Sequence, residues 1–383
     1  MAPLSLQIAL LIPVLGGSVL SAACLLAAHR ILRPTAAIAR PFQPPVTVLK
    51  PIYGIDKGLE ANLRTLCEQD YPDYQIVLSV QRTDDPALTI LRRLAAEYPA
   101  RVTLVVKQSE PVVNGKVQNL VNALAVARHE LLVISDSDVR VRPDYLAAIM
   151  APLSDPGVGY VCTLYRAAQA DRWFEKMELL SINADFVPGV VFSYWSRVAS
   201  FCLGASVAFR RGDLEAVGGM AGLGDYLVED YELGRRLVGL GKRMVLVTHA
   251  VEVLVGFPDA PRWWNHQVYW DQNTKVAHPV GFFLTILTRA VPFALLYALC
   301  RPDPTGLAVL ALTVAIRVGT ATAIAGFYLG DREGVRTIWM LPFRDLLAIV
   351  SWSIALSKRS FVWRGHRFGL TPAGRIVPRE RTS

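Results

Sequence analysis

Asp136-Ser137-Asp138 places two carboxylates at i and i+2 directly after an apolar run, Leu131 to Ser135. On a turn leaving a sheet, carboxylates so spaced can bind one hard divalent cation, Mg2+ or Mn2+, and the cation can bridge the phosphates of a nucleotide. A lone Asp-x-Asp is expected about once by chance in a chain of this length, so its weight comes from its surroundings. Asp84-Asp85 follows a second apolar run, Gln75 to Val80, where carboxylates can accept hydrogen bonds from a ribose or from the N–H of a base. Glu229-Asp230-Tyr231-Glu232 opens a helical run. Acids in a first helical turn also complement the helix dipole. Three acidic clusters at such places are much harder to assign to chance than one.

The elements around them form a pattern. Val46–Leu49, Gln75–Val80, Val102–Val106 and Leu131–Ser135 read as strands. They alternate with helical stretches running through Leu66, from Pro86 to Tyr98 and from Val117 to Arg128. This alternation predicts a parallel α/β sheet. Ligands of such sheets bind beyond the carboxyl ends of the strands, where the acidic clusters fall.

The whole chain is too apolar for a soluble protein: 52% of its 383 residues are hydrophobic and 19% charged, against about 25% charged in soluble domains. Mean hydropathy is +0.33. Leu4 to Ala28 carries Gln7 as its one strongly polar residue and exceeds the roughly 20 residues a helix needs to cross a bilayer. A cleaved signal peptide would have a basic n-region and a shorter apolar run. Arg30, Arg33 and Arg40 follow with no acid among them, which by the positive-inside rule puts the next segment in the cytosol. The expected organisation is a transmembrane anchor with basic flank (1–40), a cytosolic catalytic domain (41–278), membrane-embedded helices (279–357) and a basic cytosolic tail (358–383). Segments 281–300, 305–329 and 338–357 are the later membrane candidates. Arg289, Arg317, Arg344 and Asp345 within them must face protein, water or headgroups, because charge at bilayer depth is expensive. Three full crossings would put the tail outside, whereas its seven Lys/Arg and one Glu favour the inside. The five cysteines form no CxxC pair, which suits a reducing compartment.

The net charge of +8 divides by region. Residues 1–40 carry +3, residues 41–278 carry −3, and residues 279–383 carry +8. The basic excess flanks the membrane segments, where it sets topology and attracts anionic lipid. That excludes nucleic acid as a partner.

DDPA at 84–87, DSD at 136–138, EDY at 229–231 and an aromatic-basic segment ending in Trp270 occur in this order. Together with VLKP at 48–51, CEQDYPDYQIV at 67–77, NGKVQNL at 114–120 and Gly218-Gly219, they resemble family 2-like and family 21 glycosyltransferases. Ceramide glucosyltransferases and bacterial hopanoid glycosyltransferases are the members in view. The resemblance covers roughly residues 45 to 280 and implies a GT-A fold, a Rossmann-like mixed sheet that binds a nucleotide sugar. It implies that Asp85, with Asp84, contacts the uridine, and that Asp136 with Asp138 holds the metal on the diphosphate. It also implies that Asp230 is the catalytic base and that Lys50 and Lys116 lie near the nucleotide. The family pattern ends in Gln/Arg-x-x-Arg-Trp. Here His266 takes the first place, Trp270 is present, and Tyr269 stands where the pattern has Arg. Tyr269 cannot supply a cation to a leaving diphosphate, and Arg262 and Lys275 are the nearby candidates.

The resemblance therefore implies a multi-pass enzyme of the inner membrane that moves a sugar from a UDP-sugar, UDP-glucose above all, to a lipid hydroxyl. Ceramide is the first expected acceptor and a hopanoid or other lipid the alternative. One base and no carboxylate nucleophile favour a single displacement with inversion, giving a β-linked product. The aromatic segment 262–270 suits the membrane–water boundary, and a second aromatic set from Trp173 to Trp195 is either an acceptor lip or ordinary core. A processive polysaccharide synthase would need more membrane spans. A non-catalytic sugar-nucleotide-binding membrane protein is the reading of another class.

Overall fold

The computed structural model describes residues 2–33, 42–108, 113–197, 201–287, 289–358, 360–363, 366–371 and 374–378. Strand-forming sequence dictates its centre. Val46–Pro51 (β1), Tyr74–Val80 (β2) and Leu131–Ser135 (β4) are predominantly apolar and buried along their whole length, as strands covered on both faces are. Val102–Val106 (β3) is half-buried over most of its length and lies at the sheet edge. With Val139–Arg140 (β5), Val158–Ala168 (β6), Ser206–Arg210 (β7) and Arg243–Leu254 (β8) they form one sheet in the order β3-β2-β1-β4-β7-β6-β8-β5. Strands β3, β2, β1 and β4 run parallel. β7 then pairs antiparallel to β4, and β6 to β7. The expected parallel half is present, and the sheet as a whole is mixed. The strand order reverses between β1 and β4, and the crevice at such a switch point is where open α/β sheets bind ligands.

Contacts divide the chain into two compact units, each gathered from separate segments. The first comprises residues 1–34, 166–198 and 257–361. The second, which holds most of the sheet, comprises 35–165, 199–256 and 362–383. Segments 166–198 and 257–278, expected inside the catalytic domain, therefore pack with the apolar helices. Their sequence gives the reason: Phe174, Met177, Leu180 and Trp263 bury themselves against Ala321, Met340 and Leu341.

Within the first unit, Leu4–Ile31, Pro304–Tyr328 and Arg332–Ser357 are long and apolar enough to cross a membrane. The candidate 281–300 is divided into Pro279–Leu287 and Ala290–Cys300, a bent pair that counts as at most one further span. Arg289, Arg317, Arg344 and Asp345 face protein. Arg317 makes two contacts with Asp345, at 2.9 and 3.1 Å. Arg344 and Arg289 reach Asp185 at 2.6 and 3.1 Å. Asp185 lies in the helical turn Ile182–Phe186, outside these apolar segments, and supplies a second counter-charge beside Asp345.

Candidate functional site

Strand β4 ends at Ser135, so the chain delivers Asp136 and Asp138 at the carboxyl edge of the sheet, beside the switch point. The loop is fastened at both ends. Asp136 N–H donates to the Ala205 carbonyl at 3.1 Å, and the Asp138 carbonyl accepts from Asn62 Nδ2 at 3.2 Å. Ser137 Oγ donates to Asp56. Beneath the loop, Lys50 is 1% exposed. Its ammonium donates to Ser135 Oγ at 3.0 Å and to the Asp136 carbonyl. Burial pushes the Lys50 ammonium down to about 8, against the opposing pull of Asp138, Asp136 and Asp56. Lys50, expected near the nucleotide, thus donates to the Ser135 hydroxyl and to the backbone of the Asp136–Asp138 loop.

Lys116 joins this loop to the third cluster. Asn114 is a buried N-cap whose Oδ1 accepts from the N–H groups of Lys116 and Val117 at 3.0 and 3.3 Å, fixing the start of helix Gly115–Leu124. The Lys116 ammonium then reaches Asp136 Oδ1 at 2.8 Å and Glu229 Oε1 at 3.0 Å. Burial opposes its charge, but Asp136, Glu229 and Asp230 outweigh burial and hold the group well above the usual lysine range. Asn114 Nδ2 donates to Glu229 Oε2 at 3.2 Å and to the Tyr226 carbonyl at 2.9 Å. Helix Glu229–Gly239 then presents Asp230 from its first turn. Of its acids, Glu232 has the ordinary role and pairs with Arg235 and Arg236, each at 2.7 Å. Asp230 shares a cavity of about 10 Å3 with Lys116, Ile134, Val207 and Leu233. Burial first, and the neighbouring Glu229 second, push its carboxyl up to about 7.

The structure therefore brings Lys50, Lys116, Asp136, Asp138 and Asp230 to one edge of the sheet. Asp85 stands at the end of β2, buried, and accepts from the N–H groups of Gly54 and Ala87, both at 2.9 Å. Asp84 is exposed and pairs with Arg82 at 2.6 Å. His266 and Trp270 belong to the other unit, on helix Ala260–Ala277. There His266 Nδ1 lies 3.3 Å from the buried Glu178, and Trp270 packs beside His266 and Phe186.

Three residues of this site carried no assigned role in the sequence reading: Asn114, Glu229 and Gly204. The first two sat inside motifs already noticed. Gly204 sat in a small-residue stretch, and its reason is spatial. A Cβ at 204 would strike the Asp230 carboxylate, with Cγ at 3.0 Å and Cβ at 3.2 Å. The carboxylate can rotate aside, whereas the Asp230 Cβ is fixed to the backbone and must give by a few tenths of an ångström, so Gly204→Ala should lower the melting temperature modestly while turning the Asp230 carboxylate aside. Turnover should fall on the order of 10- to 100-fold. Wild-type turnover in Gly204→Ala would mean that the Asp230 carboxylate works from a different position.

The donor set fits a hard divalent cation. Asp136 and Asp138 offer carboxylate oxygens only, the ligand type Mg2+ and Mn2+ take together with substrate phosphates. Burial, then Asp136 and Asp56, push the Asp138 carboxyl far up, a crowding of negative groups that a cation relieves. Among the described residues no group of three or more His, Cys, Asp or Glu is arranged as a self-sufficient metal site, so phosphate oxygens would have to complete the shell.

The fold and this edge of carboxylates define a GT-A nucleotide-sugar transferase architecture. A solved mannosyltransferase from Pyrobaculum calidifontis, in complex with GDP-Man and Mn2+, superposes with a TM-score of 0.54 at 22% identity, covering 91% of this chain and 98% of that one. The family model of glycosyl transferase family 21 matches residues 10–376, and the chain belongs to that family. Ceramide glucosyltransferase 1 of Caenorhabditis elegans is 27% identical over 250 residues, 63% of this chain and 53% of that protein. Ceramide glucosyltransferase 3 of the same organism is 22% identical over 346 residues, 88% of this chain and 74% of that protein. The chain thus spans about half the length of the first relative and about three quarters of the second.

Proposed function

We propose that this chain is an inverting, membrane-bound glycosyltransferase that moves glucose from UDP-glucose to the primary hydroxyl of ceramide. The observation that carries the reading is the cluster Asp136–Lys116–Glu229–Asp230, a base and a cation-binding loop joined by one lysine at the switch point of a GT-A sheet. The names of the family 21 relatives support the lipid acceptor, and the GDP-Man and Mn2+ in the solved mannosyltransferase support a metal-bound nucleotide sugar as donor.

The acceptor hydroxyl is a poor nucleophile until its proton is removed in the transition state. Asp230 takes that proton as the acceptor oxygen bonds to the anomeric carbon. The bond from that carbon to the diphosphate breaks, and UDP leaves with the electron pair. A single displacement inverts the centre, so an α-linked donor gives a β-linked glycolipid. A divalent cation held by Asp136 and Asp138 would supply Lewis-acid stabilisation of the departing diphosphate. Lys116 contributes a fixed positive charge beside that site. Asp85 is assigned to the uridine, and His266 and Trp270 to the diphosphate and acceptor. Arg30, Arg33 and Arg40 after the first span put the catalytic unit on the cytosolic side of the inner membrane in this reading.

The test is lipid extraction from cells with and without the gene, followed by mass spectrometry. A hexosyl increment on ceramide supports the proposal. The same increment confined to a hopanoid or diacylglycerol replaces the acceptor. No glycolipid difference, with UDP-glucose still bound by the purified chain, would establish the non-catalytic reading instead.

A further inference from the structure

The helix that carries Asp230 begins without a cap of its own: Val228, at its N-cap, makes no side-chain hydrogen bond to it. An uncapped first turn frays unless neighbouring groups hold it. Asn114 holds one side, through the Tyr226 carbonyl and Glu229. The other side is held from far along the sequence, by a hairpin that follows the last apolar helix.

His366–Leu370 and Ile376–Pro378 pair antiparallel, with Leu370 opposite Ile376. Ile376 N–H donates to the Asp225 carbonyl at 2.7 Å, and Leu227 N–H donates to the Gly374 carbonyl at 3.1 Å. These two bonds make Tyr226 and Arg375 a β-bridge, four residues before Asp230. The Arg375 guanidinium lies 5.6 Å from the centroid of the Tyr226 ring. The Arg236 guanidinium, on the Asp230 helix itself, lies 5.4 Å from the same ring and is anchored to Glu232 at 2.7 Å. Leu227 and Ile376 are both buried. Backbone pairing, ring contact and apolar burial therefore all converge on residues 225–227.

We propose that this carboxy-terminal hairpin is a strap that positions the catalytic carboxylate, with Arg375 and Tyr226 as positioning residues. The inference rests on the assignment of Asp230 as base. The strap touches neither the Asp136-Ser137-Asp138 loop nor Asp85 through any of these bonds, so it should govern chemistry and leave nucleotide binding alone.

The test uses the full-length chain in lipid nanodiscs, with Ile376→Pro, Arg375→Ala and Arg375→Lys. Ile376→Pro deletes the N–H that holds Asp225 and should lower kcat on the order of 10- to 100-fold per folded molecule. The UDP dissociation constant and the donor KM should stay within about threefold. Arg375→Ala should show a smaller loss of the same kind, and Arg375→Lys should recover most of it, since an ammonium also binds an aromatic face. Wild-type kcat in Ile376→Pro overturns the strap, and so does UDP affinity that falls in step with kcat, because a merely structural element would act on both. Asp230→Asn, measured in parallel, separates the two ideas. Wild-type transfer that survives in Asp230→Asn overturns the base assignment and the strap with it. Transfer lost in Asp230→Asn but intact in all three strap variants overturns the strap alone.

Discussion

Asp230→Asn should lower kcat by on the order of 10^2- to 10^4-fold, the usual contribution of a positioned general base, while leaving UDP affinity nearly unchanged. The substitution keeps the shape of the side chain and its acceptor for the Tyr231 N–H, now 2.8 Å away. It removes only the ability to take a proton. Lys116 loses one of three carboxylate neighbours and keeps its contacts to Asp136 and Glu229 at 2.8 and 3.0 Å, so the fold and the nucleotide edge persist. The wild-type pH profile tests the same residue independently. Burial first, then Glu229, push the Asp230 carboxyl up to about 7, and in the proposed role of base it would work only when deprotonated. The sign follows: kcat/KM should be flat above about pH 7 and fall tenfold per pH unit below it. The conformational stability runs the other way. A carboxyl raised in the folded state makes folding less favourable as pH climbs from about 4, its unfolded value, towards 7. Asp230→Asn should remove the Asp230 share of the stability loss, leaving the pH dependence contributed by Asp138 and Lys50, and its residual rate should no longer fall below pH 7 as the wild type's does, measured as melting temperatures and initial rates across pH 5 to 8.5. Equal loss of kcat and UDP binding in the variant would refute the role of base and make Asp230 a nucleotide ligand.

The parallel half of the sheet was legible because its strands are short, mostly aliphatic runs, Leu131–Ser135 above all, separated by amphipathic helices. The antiparallel half was harder to read. Val158–Ala168 and Arg243–Leu254 mix Arg, Thr, Glu and His with apolar residues, and strands of such mixed composition do not announce a pairing partner. The metal loop and Asp230 were visible because carboxylates after a strand, or at a helix start, are a local pattern. Their connection was not. Lys116 joins residues 20 and 113 positions away, and only the folded chain shows that one ammonium serves both clusters. The partners of Lys50 were equally hidden: the resemblance places it near the nucleotide, and only the fold shows that it is buried with its ammonium on the carbonyl of Asp136. The grouping of segment 166–198 with the apolar helices was hidden for a related reason. Its helix is amphipathic enough to pass as part of a soluble domain, and its charge at Asp185 makes sense only once Arg289, Arg317 and Arg344 surround it.

Asp136→Asn should have the second large effect, and a different one. In the proposed reading the two loop carboxylates hold a hard cation together with phosphate oxygens, the ligand set such ions take. Removing one negative charge while keeping the side-chain volume should weaken Mn2+-dependent donor binding about 100-fold or more and lower turnover on the order of 10^3-fold, since a Lewis acid contributes several kcal/mol at a departing diphosphate. The backbone of the loop is held by bonds that the substitution does not touch: Asp136 N–H to Ala205 and the Asp136 carbonyl to Lys50. Lys116 retains Glu229. Melting temperature should therefore move little, and calorimetric titration of UDP-glucose with and without Mn2+ becomes the informative readout. In the wild type, donor affinity should rise steeply with Mn2+. In Asp136→Asn it should be weak and nearly indifferent to the metal. Asp230→Asn should show the wild-type metal response with no turnover. That crossed pattern distinguishes a cation-holding carboxylate from a base. Donor binding in Asp136→Asn that still strengthens with Mn2+ as in the wild type would sink the assignment and make Asp136 only the electrostatic partner of Lys116.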